Sequence, residues 1–290
     1  MSAITNSLQP AQIALALDRN QDLLSGSIDQ LASGSKLANP GDNPVGAGLS
    51  NKLSAEDQRL SAASANIQNA LSYTQASDGV LTTVGNVLSR LSEIASLATD
   101  PTKSSSDVAG YQSEFQALQD ELRKIIGGTT AEIGGTADVP PQATFDGTPL
   151  YGSSASGYQV VLGASAGQSM TVPATNLRTG AMLNLIQQDS SGAYSLNVST
   201  ASAADLSDAI QQVAGGRASL GAAQERLNLA AATVQTQSMN LQSAMSQITD
   251  VDVAAQSTAL AKYNVLVQVD AAILAQANTT SEAVLKLLKS

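Results

Sequence analysis

At 290 residues, with 14 basic and 24 acidic side chains, the chain carries a net charge of −10, which argues against a nucleic-acid footprint or an anionic membrane partner. It contains no cysteine, histidine or tryptophan, which removes disulfides, zinc fingers, thiol catalysis and imidazole acid–base chemistry together. Apolar residues make up 43% of the chain but aromatics only 3% and charged residues 13%, a balance that suits long, closely approaching helices and extensive self-association better than a thick core.

The first segment, about Ile4 to Ser33, sets Ile13, Leu17, Leu24, Ile28 and Leu31 on one helix face. Gly34 follows as a left-handed cap. The run Asn39-Pro40-Gly41-Asp42-Asn43-Pro44 is a concentrated break, with Asn43 as the cap and Pro44 as the first residue of a new helix. That helix is predicted to run about 55 residues to about Thr99, roughly 80 Å at the α-helical rise. Along it Leu53, Leu60, Ile67, Thr74, Leu81, Leu88 and Ala95 recur at seven-residue steps, the spacing of a coiled-coil seam. Asp100-Pro101 ends it. A further helix over about Ser105–Ile126 carries Val108, Tyr111, Phe115, Leu118, Leu122 and Ile125 on one side and stops at Gly127-Gly128.

From about 129 to 200 Gly, Pro, Ser and Thr dominate. Residues 158–162 and 169–172 predict a β-hairpin, and 193–198 a further strand. A second seven-step row then follows in Leu206, Val213, Leu220, Leu227, Val234, Leu241 and Ile248. Its phase breaks at Asp250-Val251-Asp252, read as an acidic hinge that caps the last helix. Val253, Leu260, Val267 and Leu274 resume the step in a helix to about Leu288. The two long rows meet only if the chain doubles back. The predicted fold is therefore mainly α: long antiparallel coiled-coil helices forming a rod, with a small β-hairpin region in the middle and the two terminal helices paired.

Candidate chemistry is sparse. Asp250 and Asp252 lack the further carboxylates of a calcium loop, and neither Gly127-Gly128 nor Gly134-Gly135 leads into a phosphate-loop GK[ST]. No catalytic, cofactor or metal residue is assigned. The uncharged stretch Leu227–Thr249 holds twelve Asn, Gln, Ser or Thr among its 23 residues, so no membrane insertion is expected. The N-terminus lacks a basic start and a cleavage site, and no cleavable signal peptide is expected there.

The stretch Leu31–Leu53 (LASGSKLANPGDNPVGAGLSNKL) resembles the N-terminal signature of bacterial flagellins. The likeness continues through residues 66–70 (NIQNA) and 75–81 (QASDGVL), and through Thr144-Phe145-Asp146-Gly147 and residues 163–168 (GASAGQ), similar to the family's hairpin region. Residues 220–227 (LGAAQERL) and 273–288 (ILAQANTTSEAVLKLL) resemble its C-terminal motifs. The resemblance implies a structural, non-enzymatic subunit that polymerises into the extracellular flagellar filament used for swimming. By the same likeness, an export chaperone and the cap and hook-junction proteins would be its partners besides copies of itself. It also implies that residues 1–33 and 252–290 form an inner tube, 34–43 a connecting spoke and 44–251 an outer rod, with large outer domains absent. The expected polymer interface is then Ile13, Leu17, Leu24, Ile28, Leu31, Leu260, Val267, Ile273, Leu274, Leu285 and Leu288. The expected rod seam is Leu53, Leu60, Ile67, Leu81 and Leu88 against the row from Leu206 to Ile248. A hook–filament junction protein is the alternative within the flagellum, and a coiled-coil adhesin or an enzyme on the same scaffold lies further off. One departure stands on the long helix. Where flagellins detected by the animal innate receptor carry Q-R-V-R-E-L, this chain has Ser89-Arg90-Leu91-Ser92-Glu93-Ile94, and weak recognition is expected.

Overall fold

The computed structural model describes residues 2–41, 43–151, 157–165 and 167–289, with side chains described over 10–41, 43–151, 157–165 and 167–279. The helices are α1 (Ser2–Ser33), α2 (Pro44–Ala98), α3 (Ser105–Ile126), α4 (Thr130–Ile133), α5 (Gly180–Ile186), α6 (Ala203–Thr249) and α7 (Val253–Lys289). Four short strands, β1 (Thr144–Phe145), β2 (Thr148–Pro149), β3 (Tyr158–Val161) and β4 (Ser169–Val172), lie between α4 and α5. The chain divides into two compact units, residues 1–57 with 239–290 and residues 58–238.

In the first unit α1 and α7 pack closely and antiparallel: the Asn20 amide donates to the Asp270 carboxylate while Gly34 and Lys36 meet Val251 and Thr249. The residues shielded on α1 include Ile13, Leu17, Asn20, Leu24, Ser27 and Leu31, a regular alternation of four- and three-residue steps. On α7 they include Leu260, Tyr263, Val267, Asp270, Leu274 and Ala277, with the same rhythm. That 4–3 spacing is what a coiled-coil seam requires. The two helix breaks lie side by side. Lys36 N–H donates to the Thr249 carbonyl at 2.7 Å, and Val251 N–H to the Gly34 carbonyl at 3.0 Å. Gly34 has φ +69° there. Asn43 caps α2 by accepting from the Gly46 amide at 2.9 Å, ahead of Pro44 at the first helical position. Asp252 caps α7 through the Ala254 and Ala255 amides.

In the second unit α2 and α6 run antiparallel, Asp78 pairing with Arg217 at 2.7 Å and Gly85 lying beside Val213. Leu60, Ile67, Thr74, Leu81, Leu88 and Ala95 are buried on α2. Between them lies a second buried row, Ala63, Ala70, Ser77, Val84 and Leu91. On α6 Ala209 and Ala223 fill the same intermediate places between Leu206, Val213, Leu220 and Leu227. Where the second row is small, at Ala63, Ala70, Ser77, Ala209 and Ala223, the facing helices can interlock; at Val84 and Leu91 it is large and widens the seam. Thr74 is fully buried without cost to its hydroxyl, which donates to the Leu71 carbonyl of its own helix at 2.8 Å.

The segment between α3 and α6 packs on this pair. Ser104 and Asp107 form a reciprocal capping box at the start of α3, and the Ser104 hydrogen bonds hold the Asp107 carboxyl below its usual range. β1 and β2 pair through a two-residue turn in which Asp146 and Gly147 both take positive φ (49° and 73°), the hairpin geometry that Asp-Gly favours. The expected hairpin over 158–172 is present as β3–β4, with Val160 opposite Met170. The expected strand at 193–198 is not. Only Tyr194 bridges to Gln188, and Asn197 instead folds the chain into a turn by accepting from the Ser199 and Thr200 amides.

Candidate polymer interface

The predicted interface residues fall on α1 and α7. Ile13, Leu17, Leu24, Leu31, Leu260, Val267 and Leu274 are half-buried, whereas Ile28 and Ile273 remain 50% and 47% exposed. Leu285 and Leu288 lie outside the residues whose side chains are described. The pair is not apolar on its inner faces alone. Among the described residues, ten of the fourteen exposed large apolar side chains belong to the smaller, terminal unit, including Leu15 at 73% and Val265 at 58%. Such a concentration is what an interaction surface carries and a solvated helix pair does not. A shallow groove on this unit is lined by Ile13, Ala16, Asp270, Ile273 and Ala277.

The predicted rod-seam residues divide in two. Leu60, Ile67, Leu81, Leu88, Leu206, Val213, Leu220, Leu227 and Val234 are buried, whereas Leu53, Leu241 and Ile248 are half-buried and belong to the terminal unit. Sequence reasoning passed over Asn20 and Ser27, polar residues within the α1 seam. The gap between Leu17 and Leu24 was the available signal, since a 4–3 rhythm demands an occupant at position 20.

Two buried polar side chains of α3 also escaped the periodicity. Arg123 is almost wholly buried and donates to the Ile133, Ile186 and Gly134 carbonyls at 2.7, 2.8 and 2.5 Å. Burial lowers its pKa, opposed by the nearby Tyr194 and Asp120. Gln119 donates to the Leu185 and Leu196 carbonyls at 2.8 and 3.1 Å. These side chains tie the strand-free loops to α3. Gly134 permits the approach: at φ +66° any Cβ there would stand 1.9 Å from the Gln188 carbonyl oxygen. Arg123→Met should therefore remove three hydrogen bonds to shielded carbonyls, of which Ile133 keeps the Gln188 N–H, and destabilise residues 58–238 by about 3 kcal/mol, read by urea unfolding. Arg178, also shielded, pairs with Glu132 at 2.8 Å and donates to the Ile126 carbonyl.

The hairpins meet α2 through aromatics. Tyr73 packs edge-on to Phe145 and Tyr158, with ring centroids 5.7 and 4.8 Å apart. Desolvation, with Tyr158 adding to it, pushes the Tyr73 phenol up to about 12. Tyr151 is buried and donates its hydroxyl to the Ser77 carbonyl at 2.5 Å. Hydroxyls so placed anchor packing; none is held for proton transfer near neutral pH. Among the described residues no helix is long and apolar enough to cross a membrane, and no three acidic residues gather to hold a metal ion.

Comparison with known proteins agrees with this geometry. Residues 5–132 match the model of the bacterial flagellin N-terminal helical region, and residues 204–288 that of the C-terminal helical region. The chain is 31% identical over 274 residues to the flagellar filament 30.7 kDa core protein of Treponema maltophilum, covering 93% of each. It is 30% identical over 263 residues to a flagellin of Halalkalibacterium halodurans, covering 91% of each. With a flagellin of Bacillus subtilis it shares 30% identity over 298 residues, 94% of this chain and 95% of that one. The matched segments take in all or most of every helix described except α5, and the chain belongs to the bacterial flagellin family.

Proposed function

We infer that this chain is a structural subunit that polymerises with copies of itself into the bacterial flagellar filament, the extracellular propeller used for swimming. The observation that carries the reading is the exposed apolar surface of α1 and α7, the helices that belong to the two matched flagellin regions. Heterologous contacts that never close into a ring extend as a helical tube. In the proposed polymer residues 1–33 and 252–290 form the inner layer and residues 44–251 the outer one, joined by 34–43. Each large apolar side chain fully withdrawn from water contributes about 1.5–3 kcal/mol, so a subunit exposing several of them gains much of its association energy from apolar contact. An export chaperone that shields the same surface before assembly, and cap and hook-junction proteins at the filament ends, follow from this role. The chain's work is mechanical and calls for no catalytic group.

Replacing Leu15 and Val265 with Ser tests the reading. Both side chains point to solvent within the single chain, so its own folding changes little. The critical concentration for polymerisation should rise roughly tenfold or more, because about 1.4 kcal/mol corresponds to each factor of ten. Sedimentation across a concentration series gives the number. An unchanged critical concentration removes these helices from the interface.

A further inference from the structure

One contact inside the terminal unit departs from the apolar rule. The Asn20 Nδ2 donates to the Asp270 Oδ2 at 2.6 Å, joining residues 250 apart in sequence, and both side chains are partly shielded. Asn20 occupies the seam place between Leu17 and Leu24, and Asp270 that between Val267 and Leu274. Each helix thus places one amide or carboxylate in its seam, beside the hydroxyls of Ser27 and Tyr263, and the amide and the carboxylate coincide.

A seven-residue repeat is nearly indifferent to sliding by seven residues, since apolar places again face apolar ones. The polar pair is not indifferent. Sliding α7 one way sets the Asp270 carboxylate opposite Ile13 and Asn20 opposite Tyr263; sliding it the other way sets Asn20 opposite Ala277 and Asp270 opposite Ser27, so either slip leaves one member of the pair facing an apolar residue. Pairing of two α7 helices from different copies would bring one Asp270 against another. The bridge between residues 34–36 and 249–251 holds the seam at one end only, through two backbone hydrogen bonds.

We propose that the Asn20–Asp270 hydrogen bond is a register lock: it selects the pairing of α1 with α7 of the same chain over one-heptad slips and over α7–α7 pairing between copies. The role goes beyond subunit assembly, because it concerns how one chain matches its own two ends. It is a specificity device that gives up apolar burial to exclude alternatives.

The absence of cysteine makes the test direct. In the full-length chain, Ile13→Cys with Ala277→Cys reports the observed register, both residues lining one groove. Leu24→Cys with Ile273→Cys reports a slip of seven residues. Each pair is oxidised in three backgrounds: parent, Asn20→Leu/Asp270→Leu, and the exchanged pair Asn20→Asp/Asp270→Asn. Intrachain disulfide is read by mobility on denaturing gels, separately for sedimented polymer and supernatant. In the parent, the first pair should cross-link more than the second by roughly tenfold or more, the ratio that one charge-assisted hydrogen bond confers. The leucine background should bring the two pairs to within about threefold, and the exchanged pair should restore the parental ratio. A parental ratio retained in the leucine background overturns the lock and leaves the register to the bridge at 34–36. Loss of the ratio in the exchanged pair, or no disulfide from the first pair in the parent in either fraction, also overturns it. Failure to polymerise with the parental cross-linking pattern intact counts against the filament reading alone.

Discussion

Removal of residues 273–290 yields a soluble monomer that keeps the thermal transition of residues 58–238 and forms no filament. The deletion takes Ile273, Leu274 and Ala277 from α7, so Ile13 and Ala16 lose the groove they share with that helix. An unpartnered helical stretch of this length is marginal in water, and most helical stability in proteins comes from packing. The first half of α1 should therefore fray, and the apolar side chains meant for neighbouring copies lose their scaffold. Residues 58–238 form a separate unit, so their unfolding should be unaffected. Far-ultraviolet circular dichroism should fall by the share of α1 and α7 alone, while electron microscopy shows no tubes. Filaments built by the truncated chain would remove the terminal helices from the assembly.

The second large effect is on the seam of α2 and α6. Leu227→Asp with Val234→Asp sets two carboxylates at positions that are 0% and 4% exposed, in a seam built of apolar side chains. An unpaired buried charge costs several kcal/mol, and two of them rival the whole stability of a domain, about 5–15 kcal/mol. Residues 58–238 should unfold at room temperature, seen as loss of most helical dichroism and of protease resistance. Leu229→Asp is the control. It lies on the same helix between the two, is 71% exposed, and should change stability by no more than about 0.5 kcal/mol. Equal damage from all three substitutions would mean that helix propensity, and not the seam, holds the pair.

The recognition segment on α2 is bound up with its neighbours. Arg90 reaches Glu93 at 2.8 Å and Glu114 of α3 at 2.6 Å, and both carboxylates favour its charged form. With Ser89 and Ser92 flanking it, we propose weak detection by the animal flagellin receptor, and a dose–response on receptor-expressing cells checks this.

The large-residue row of each long helix was legible because seven-residue spacing of Leu, Ile and Val is rare by chance and has one physical use. The companion row of Ala63, Ala70, Ser77, Ala209 and Ala223 was not. Alanine and serine occur throughout this chain, and only the approach of another helix decides which of them are buried. Caps read well where they were sought: Asn43 and Asp252 act within three residues of themselves, a range that sequence spans, and the Ser104 cap of α3 went unread. Arg123 and Gln119 could not be read, since the carbonyls that make their burial tolerable lie at 133–134, 185–186 and 196. Helix α5 was missed for a related reason. Its seven residues make only about two turns, too few for a repeat to stand out, and Met182, Leu185 and Ile186 are buried.

The antiparallel match of α1 with α7 has a consequence for synthesis. These helices stand at opposite extremes of the polypeptide, and Asn20 must wait for a residue 250 positions later. A ribosome adds some 5–20 residues per second, so the leading segment spends on the order of 10–50 s with its mate not yet made. Closing so long a loop is itself a modest entropic cost, rising only logarithmically with length. Delay is the greater hazard: throughout it, a greasy helix sits among nascent siblings carrying the same helix, and whichever factor escorts the newborn chain has to hold the trailing end apart from strangers as well as the leading one.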